Sequence, residues 1–117
     1  NRRMSTTLPA AEAHALASLV SPTSHGIASR VLARTAAGNI TLFAFDAGEG
    51  LSEHTAPFDA LVIGVEGRAD IVVGGEHHAL TAGETLLMPA NVPHAINPLE
   101  PFKMLLVMLR NPADAAK

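Results

Sequence analysis

Cysteine, tryptophan and tyrosine are all absent, and phenylalanine occurs only four times in 117 residues. Without cysteine there is no disulfide scaffold, no thiolate-held zinc, no iron–sulfur cluster and no thiol nucleophile. Without tryptophan and tyrosine the chain lacks the rings that stack on sugars and bases while donating a hydrogen bond, and a tyrosine general acid is excluded. Basic charge is also scarce. Eight Lys and Arg stand against eleven Asp and Glu, a net charge of −3. Six of the cations are arginines, at positions 2, 3, 30, 34, 68 and 110, with no stripe among them. The expectation is no nucleic-acid partner and no anionic membrane partner. The longest apolar run, Met104 to Leu109, has six residues, far short of the roughly 20 that a spanning helix needs. No charged-then-apolar leader pattern is seen at the N-terminus, so a cytoplasmic location is expected.

What remains is enough for a core. Hydrophobic residues make up 48% and charged ones 16%, and a chain this long forms one domain that hides roughly two-thirds of its unfolded surface. The first segment has helical features. Pro9 suits a first turn, Glu12 suits the positive helix end, alanine dominates residues 10–17, and Leu16, Leu19 and Val20 share a face. From residue 27 onward the texture is different. Short alternating or β-branched runs at 27–35, 40–45, 51–55, 60–65, 69–73, 77–80, 85–88, 94–97 and 102–110 are separated by Gly, Pro or Asn. Gly74-Gly75 suits a two-residue hairpin turn. This spacing predicts an all-β sandwich or barrel and leaves no room for crossover helices. Residues 61–65 and 102–109 are apolar on both faces. A barrel wall needs only one such face, so the second calls for a cover: the other sheet, the N-terminal helix, or a second subunit. A homodimer is expected on that ground.

Two of the six histidines sit in distinctive frames. His54 follows Gly48 and precedes Gly67, and His94 follows Gly83, Pro89 and Asn91, with Asn97 just beyond. The two frames resemble the paired motifs of the cupin superfamily. The first motif falls on Gly48, His54, Ala56, Ala60 and Gly67, the second on Gly83, Pro89, Asn91 and His94, with Asn97 one place early. The resemblance runs from about residue 26 to 110. It implies an antiparallel double-stranded β-helix (jelly roll) barrel over 26–112, behind an N-terminal extension with a short helix over 1–25. The wording of both motifs looks like that of small single-domain bacterial cupins, mostly of unassigned function.

In metal-binding cupins these motif positions supply three histidines and one glutamate. Here they are His54, Ala56, Ala60 and His94, so half of the donor set is missing. Two neutral imidazoles alone rarely hold a divalent metal firmly. Substitute donors are not evident in the spacing: Asp59, Asn91, Asn97 and His25 are the candidates, while Glu53 and Thr55 point away on a regular strand. A ligand pocket is expected around His54, His94, Ala56, Ala60, Phe43, Phe58, Met88 and Asn97, with His54 and His94 as a partial metal site. Catalytic residues are not assigned. Glu49, Glu53 and Asp59 lie near His54 as acid–base candidates, although such loop carboxylates are usually solvated. His77 and His78 are adjacent, so they face opposite sides of a hairpin strand, and His14 is expected to be exposed. Met88, Met104 and Met108 suit an adaptable apolar cavity or plain packing.

The function expected is binding of a small molecule, compact and with an acid or carbonyl group, at a degenerate metal site. The alternative is a metal-dependent enzyme of the dioxygenase or isomerase type using a third, unrecognised ligand, and a structural or sensory role is a third. The cofactor is left open, a weakly bound divalent transition metal being the one candidate.

Overall fold

Nine strands and one turn of 3-10 helix, Leu16–Ser18, make up the regular structure of a computed structural model that describes residues 7–21 and 26–111. The strands are β1 (Ile27–Thr35), β2 (Gly38–Phe45), β3 (Leu51–His54), β4 (Asp59–Glu66), β5 (Arg68–Val73), β6 (Glu76–Thr81), β7 (Thr85–Met88), β8 (His94–Pro98) and β9 (Phe102–Leu109). They form a five-stranded sheet, β1-β2-β9-β4-β7, and a four-stranded sheet, β3-β8-β5-β6. Every pairing is antiparallel. From β2 to β9 the chain changes sheet at each connection except the β5–β6 hairpin. That winding is the expected double-stranded β-helix. The hairpin turns at Gly74 (φ 57°) and Gly75 (φ 84°), the left-handed pair that matches the twist of the strands it joins.

Strand alternation builds the core. Phe45, Ala60, Val62, Ala69, Ile71, Leu80, Met88, Ile96, Phe102, Met104 and Leu106 meet between the sheets. Phe45 stacks on Phe102 at 6.0 Å and on Phe43 at 5.8 Å.

The opposite face of the five-stranded sheet is also apolar, and the N-terminal segment accounts for part of its cover. Leu32, Leu42 and Ala44 are buried but do not belong to the inner core. Over them the Leu8 amide donates to the Leu32 carbonyl at 2.9 Å. Arg30 Nη1 donates to the Leu19 carbonyl at 3.4 Å, and Lys103 Nζ donates to the Ala17 carbonyl. Residues 7–20 therefore lie across the sheet as a strap. The helix expected there is one 3-10 turn. Ala11 has φ 61°, which a right-handed helix cannot include, and contacts with the sheet override alanine's propensity. His14, expected to be exposed, is half-buried, and its Nε2 is buried with no hydrogen-bond partner among the described residues.

The Lys103 side chain is 12% exposed and also lies 3.8 Å from Glu66. Replacing it with Met keeps the packing of the stem and removes the charged donor. Lys103→Met is expected to cost about 1.5–3 kcal/mol, measured as a lower urea unfolding midpoint.

Candidate functional site

A β-bulge brings the two frame histidines together. Leu51 pairs with Ile96 and His54 pairs with His94, so three steps along β3 match two along β8. The extra residue turns His54 toward the same side as Leu51. Without it, alternation would send His54 outward. β3 stops at His54, so Ala56 lies in the following loop and does not share a strand face with it.

The imidazole rings meet edge to face, with centroids 4.4 Å apart and an interplanar angle of 73°. Each Nδ1 lies against the backbone carbonyl two residues earlier: His54 on Ser52 at 2.8 Å, and His94 on Val92 at 3.2 Å. A carbonyl only accepts, so both Nδ1 atoms carry the hydrogen. Both Nε2 atoms are then lone-pair donors when the rings are neutral, and they face each other at 3.1 Å. The contact is a hydrogen bond only when one ring is protonated. Otherwise two lone pairs converge, and a water or a cation relieves them. These two carbonyls are the part of the site that sequence reasoning missed, because no side-chain motif encodes them.

His94 is 5% exposed. Burial holds its pKa below the usual value of 6.5, and His54 adds to the lowering while the Val92 carbonyl opposes it. A base with a lowered folded pKa binds fewer protons than the unfolded chain does. Its contribution to stability is full above about pH 6.5 and is lost as the pH falls below that value. The denaturation midpoint should therefore drop between about pH 7 and 5, and drop less in His94→Gln. A midpoint that rose on acidification through this range would contradict the assignment.

The other residues expected at the site are placed as follows. Ala60 and Met88 pair across β4 and β7 and are both 3% exposed, inside the core. Phe43 packs against that core. Ala56 is half-buried, and its carbonyl accepts from the Asn91 amide at 2.7 Å, tying the two motif loops together. Asn91 takes φ 65° in its turn and is exposed. Asn97 is exposed between inward-facing Ile96 and Pro98 and pairs with Asp70, so it is not brought to the histidines. Phe58 lines a separate 250 Å³ cavity with Pro57, Arg110 and Asn111. Asp59 accepts from the Ala90 amide at 2.9 Å, and Glu53 is exposed. His25 lies outside the described residues.

Two imidazole nitrogens bound cis to one ion at about 2.0–2.1 Å lie roughly 2.9–3.4 Å apart, and the observed 3.1 Å agrees. The pair thus fits two coordination positions. The protein does not fill the rest: among the described residues no group of three or more His, Cys, Asp or Glu could hold an ion. Nor is any helix among them long and apolar enough to cross a membrane.

Comparison with known proteins fits the fold and the motif frames. Among curated proteins no match is found. A conserved protein of unknown function from Streptococcus pyogenes is 32% identical, with a TM-score of 0.85 over 94% of this chain and 98% of that one. A cupin superfamily protein from Desulfitobacterium hafniense is 31% identical, with a TM-score of 0.84 over 94% and 100%. A cupin 2 conserved barrel domain protein from Leptotrichia buccalis is 36% identical over 80% of this chain and 46% of that one, with a TM-score of 0.77. Residues 41–108, more than half of the sequence, match the cupin domain family, and the chain belongs to that family.

Proposed function

We propose that this cupin binds a small molecule at the His54–His94 pair, and that the pair holds a divalent metal only weakly unless a ligand supplies further donors. One observation carries the reading. Both Nδ1 atoms are engaged by backbone carbonyls, so two Nε2 lone pairs converge 3.1 Å apart. Fixing the tautomer in this way is how a protein orients imidazoles toward an ion or a donor. With Ala56 and Ala60 in the family's other donor positions, a metal would keep most of its coordination sphere open. It would supply Lewis acidity to a chelating ligand.

The test is elemental analysis of protein purified without an affinity-metal column, repeated on His54→Ala and His94→Ala. The expected result is well under one equivalent of Zn, Ni, Fe or Mn in the wild type, with weak binding of added Zn²⁺ lost in both variants. Near-stoichiometric metal in the wild type, lost in both variants, overturns the reading in favour of a metal-dependent enzyme with an unrecognised third ligand.

A cytoplasmic setting and a homodimer belong to the same proposal. The strap's recorded hydrogen bonds fall on one part of the outer sheet face. Elsewhere on that face Leu87, Leu61, Val107 and Ile40 form a register-matched row, and Leu87 is 51% exposed. The row carries no charge and can pair with its own copy. Light scattering should give a dimer that Leu87→Lys weakens, and a wild-type monomer at high concentration overturns this part.

A further inference from the structure

We propose a second ligand site in the lateral gap between β6 and β7, suited to a small primary amine with an aliphatic body and held by Glu84 and His78. The inference is independent of the histidine-pair reading. β6 is the edge of one sheet and β7 the edge of the other. Among the described residues β6 pairs only with β5, and β7 only with β4, so no ladder of theirs closes the gap. A solvent-open cavity of about 520 Å³ lies there. Ile71 separates it from the histidine pair: it is fully buried and pairs with Ile96 on one side and His78 on the other.

The lining selects for a cation. Leu80 and Leu86 give it an apolar wall. His78 is half-buried and shares the inward side of β6 with Leu80. The Glu84 Oε1 accepts from the Thr81 amide at 2.9 Å and from its hydroxyl at 3.0 Å. These bonds hold the carboxyl ionised, below its ordinary pKa, and fix where its charge sits. Among the described residues no Lys or Arg lines the cavity. The Thr85 hydroxyl hydrogen is engaged by the Val62 carbonyl at 2.8 Å, which leaves the Thr85 oxygen as an acceptor. The side chains beside the gap thus offer mainly acceptors around one fixed, solvent-exposed negative charge. An ammonium has three donors and no acceptor, and an aliphatic tail matches the two leucines. A carboxylate ligand meets repulsion instead.

The experiment is an NMR titration of the full chain with hexylammonium near neutral pH, with hexanol and hexanoate as matched controls. Hexylammonium should shift the backbone amides of residues 78–80 and 83–86 saturably and bind at least about threefold more tightly than hexanol. Hexanoate should bind more weakly than either. Glu84→Gln keeps an oxygen for Thr81 and removes the charge. It should weaken hexylammonium binding about threefold while leaving hexanol unchanged, and His78→Ala should weaken the amine as well. Equal binding of hexanol and hexylammonium overturns the proposal. So does an unaffected Glu84→Gln variant, or shifts confined to the surroundings of His54 and His94.

Discussion

Replacing Gly67 with alanine is expected to destabilise the protein by about 3 kcal/mol or more. Gly67 sits between β4 and β5, where the chain leaves the five-stranded sheet for the four-stranded one. Its φ is +78°. A side chain there costs about 1–2 kcal/mol in backbone strain alone. A Cβ would also lie 2.0 Å from the Pro101 carbonyl oxygen and 3.2 Å from the Phe102 Cα. Both belong to the backbone, so rotamer changes cannot relieve the clash. Phe102 opens β9 and is 1% exposed against Phe45, so any shift reaches the core. Gly75→Ala provides the control. Its φ is +84°, but nothing lies within 4 Å of the added Cβ, so only the strain of about 1–2 kcal/mol remains. Urea unfolding of the two variants separates the terms, and equal losses would show that the close approach to Pro101 has no consequence.

Ala60→Glu should be nearly as damaging, and it tests how far the site has departed from its family. The family motif has a carboxylate donor at this position. Here Ala60 is 3% exposed within the core and faces Met88 on one side and Met108 on the other. Both of these cross-strand neighbours are uncharged. A buried, unpaired carboxylate costs several kcal/mol, and its pKa rises. A loss of about 3 kcal/mol or more is expected at neutral pH. The folded state would bind a proton that the unfolded state releases, so the penalty should shrink as the pH falls toward about 4. If the introduced carboxylate reaches the histidine pair, excess Zn²⁺ will restore stability by mass action. Ala60→Gln, which lacks the charge, should show neither the pH dependence nor the rescue. A stable, metal-indifferent Ala60→Glu variant would mean that the core accommodates the group without the histidines.

The histidine pair was legible only in part. The motif frames brought His54 and His94 toward one place, because glycines and prolines at fixed spacing constrain where strands begin. They did not show how the two rings present their nitrogens. That depends on the carbonyls of Ser52 and Val92 and on the bulge between Leu51 and His54. Because β3 ends at His54, Ala56 has left the strand and does not share its face. Asn97 was misplaced for another reason: one residue of register moves a side chain to the other sheet face. For His77 and His78, alternation did predict opposite sides. What it could not supply was the Asp70 carboxylate 2.7 Å from the His77 Nδ1, or the open gap beside His78.

The sequence by itself determined the all-β class, the strand runs, the Gly74-Gly75 hairpin and the missing donors at positions 56 and 60. These follow from local facts: side-chain period, turn residues needing positive φ, and the plain absence of a donor atom in alanine. It also showed that residues 61–65 and 102–109 are apolar on both faces and need a cover. Only the tertiary structure decided where part of that cover comes from. The 7–20 segment lies across Leu42 and Ala44 because Lys103, 86 residues from Ala17, and the nearer Arg30 capture its carbonyls. Cysteine, tryptophan and tyrosine are likewise absent by composition alone. That the chemistry left to this barrel rests on two facing imidazole nitrogens depends on pairing β3 with β8 across forty residues of chain, and no local preference encodes that contact.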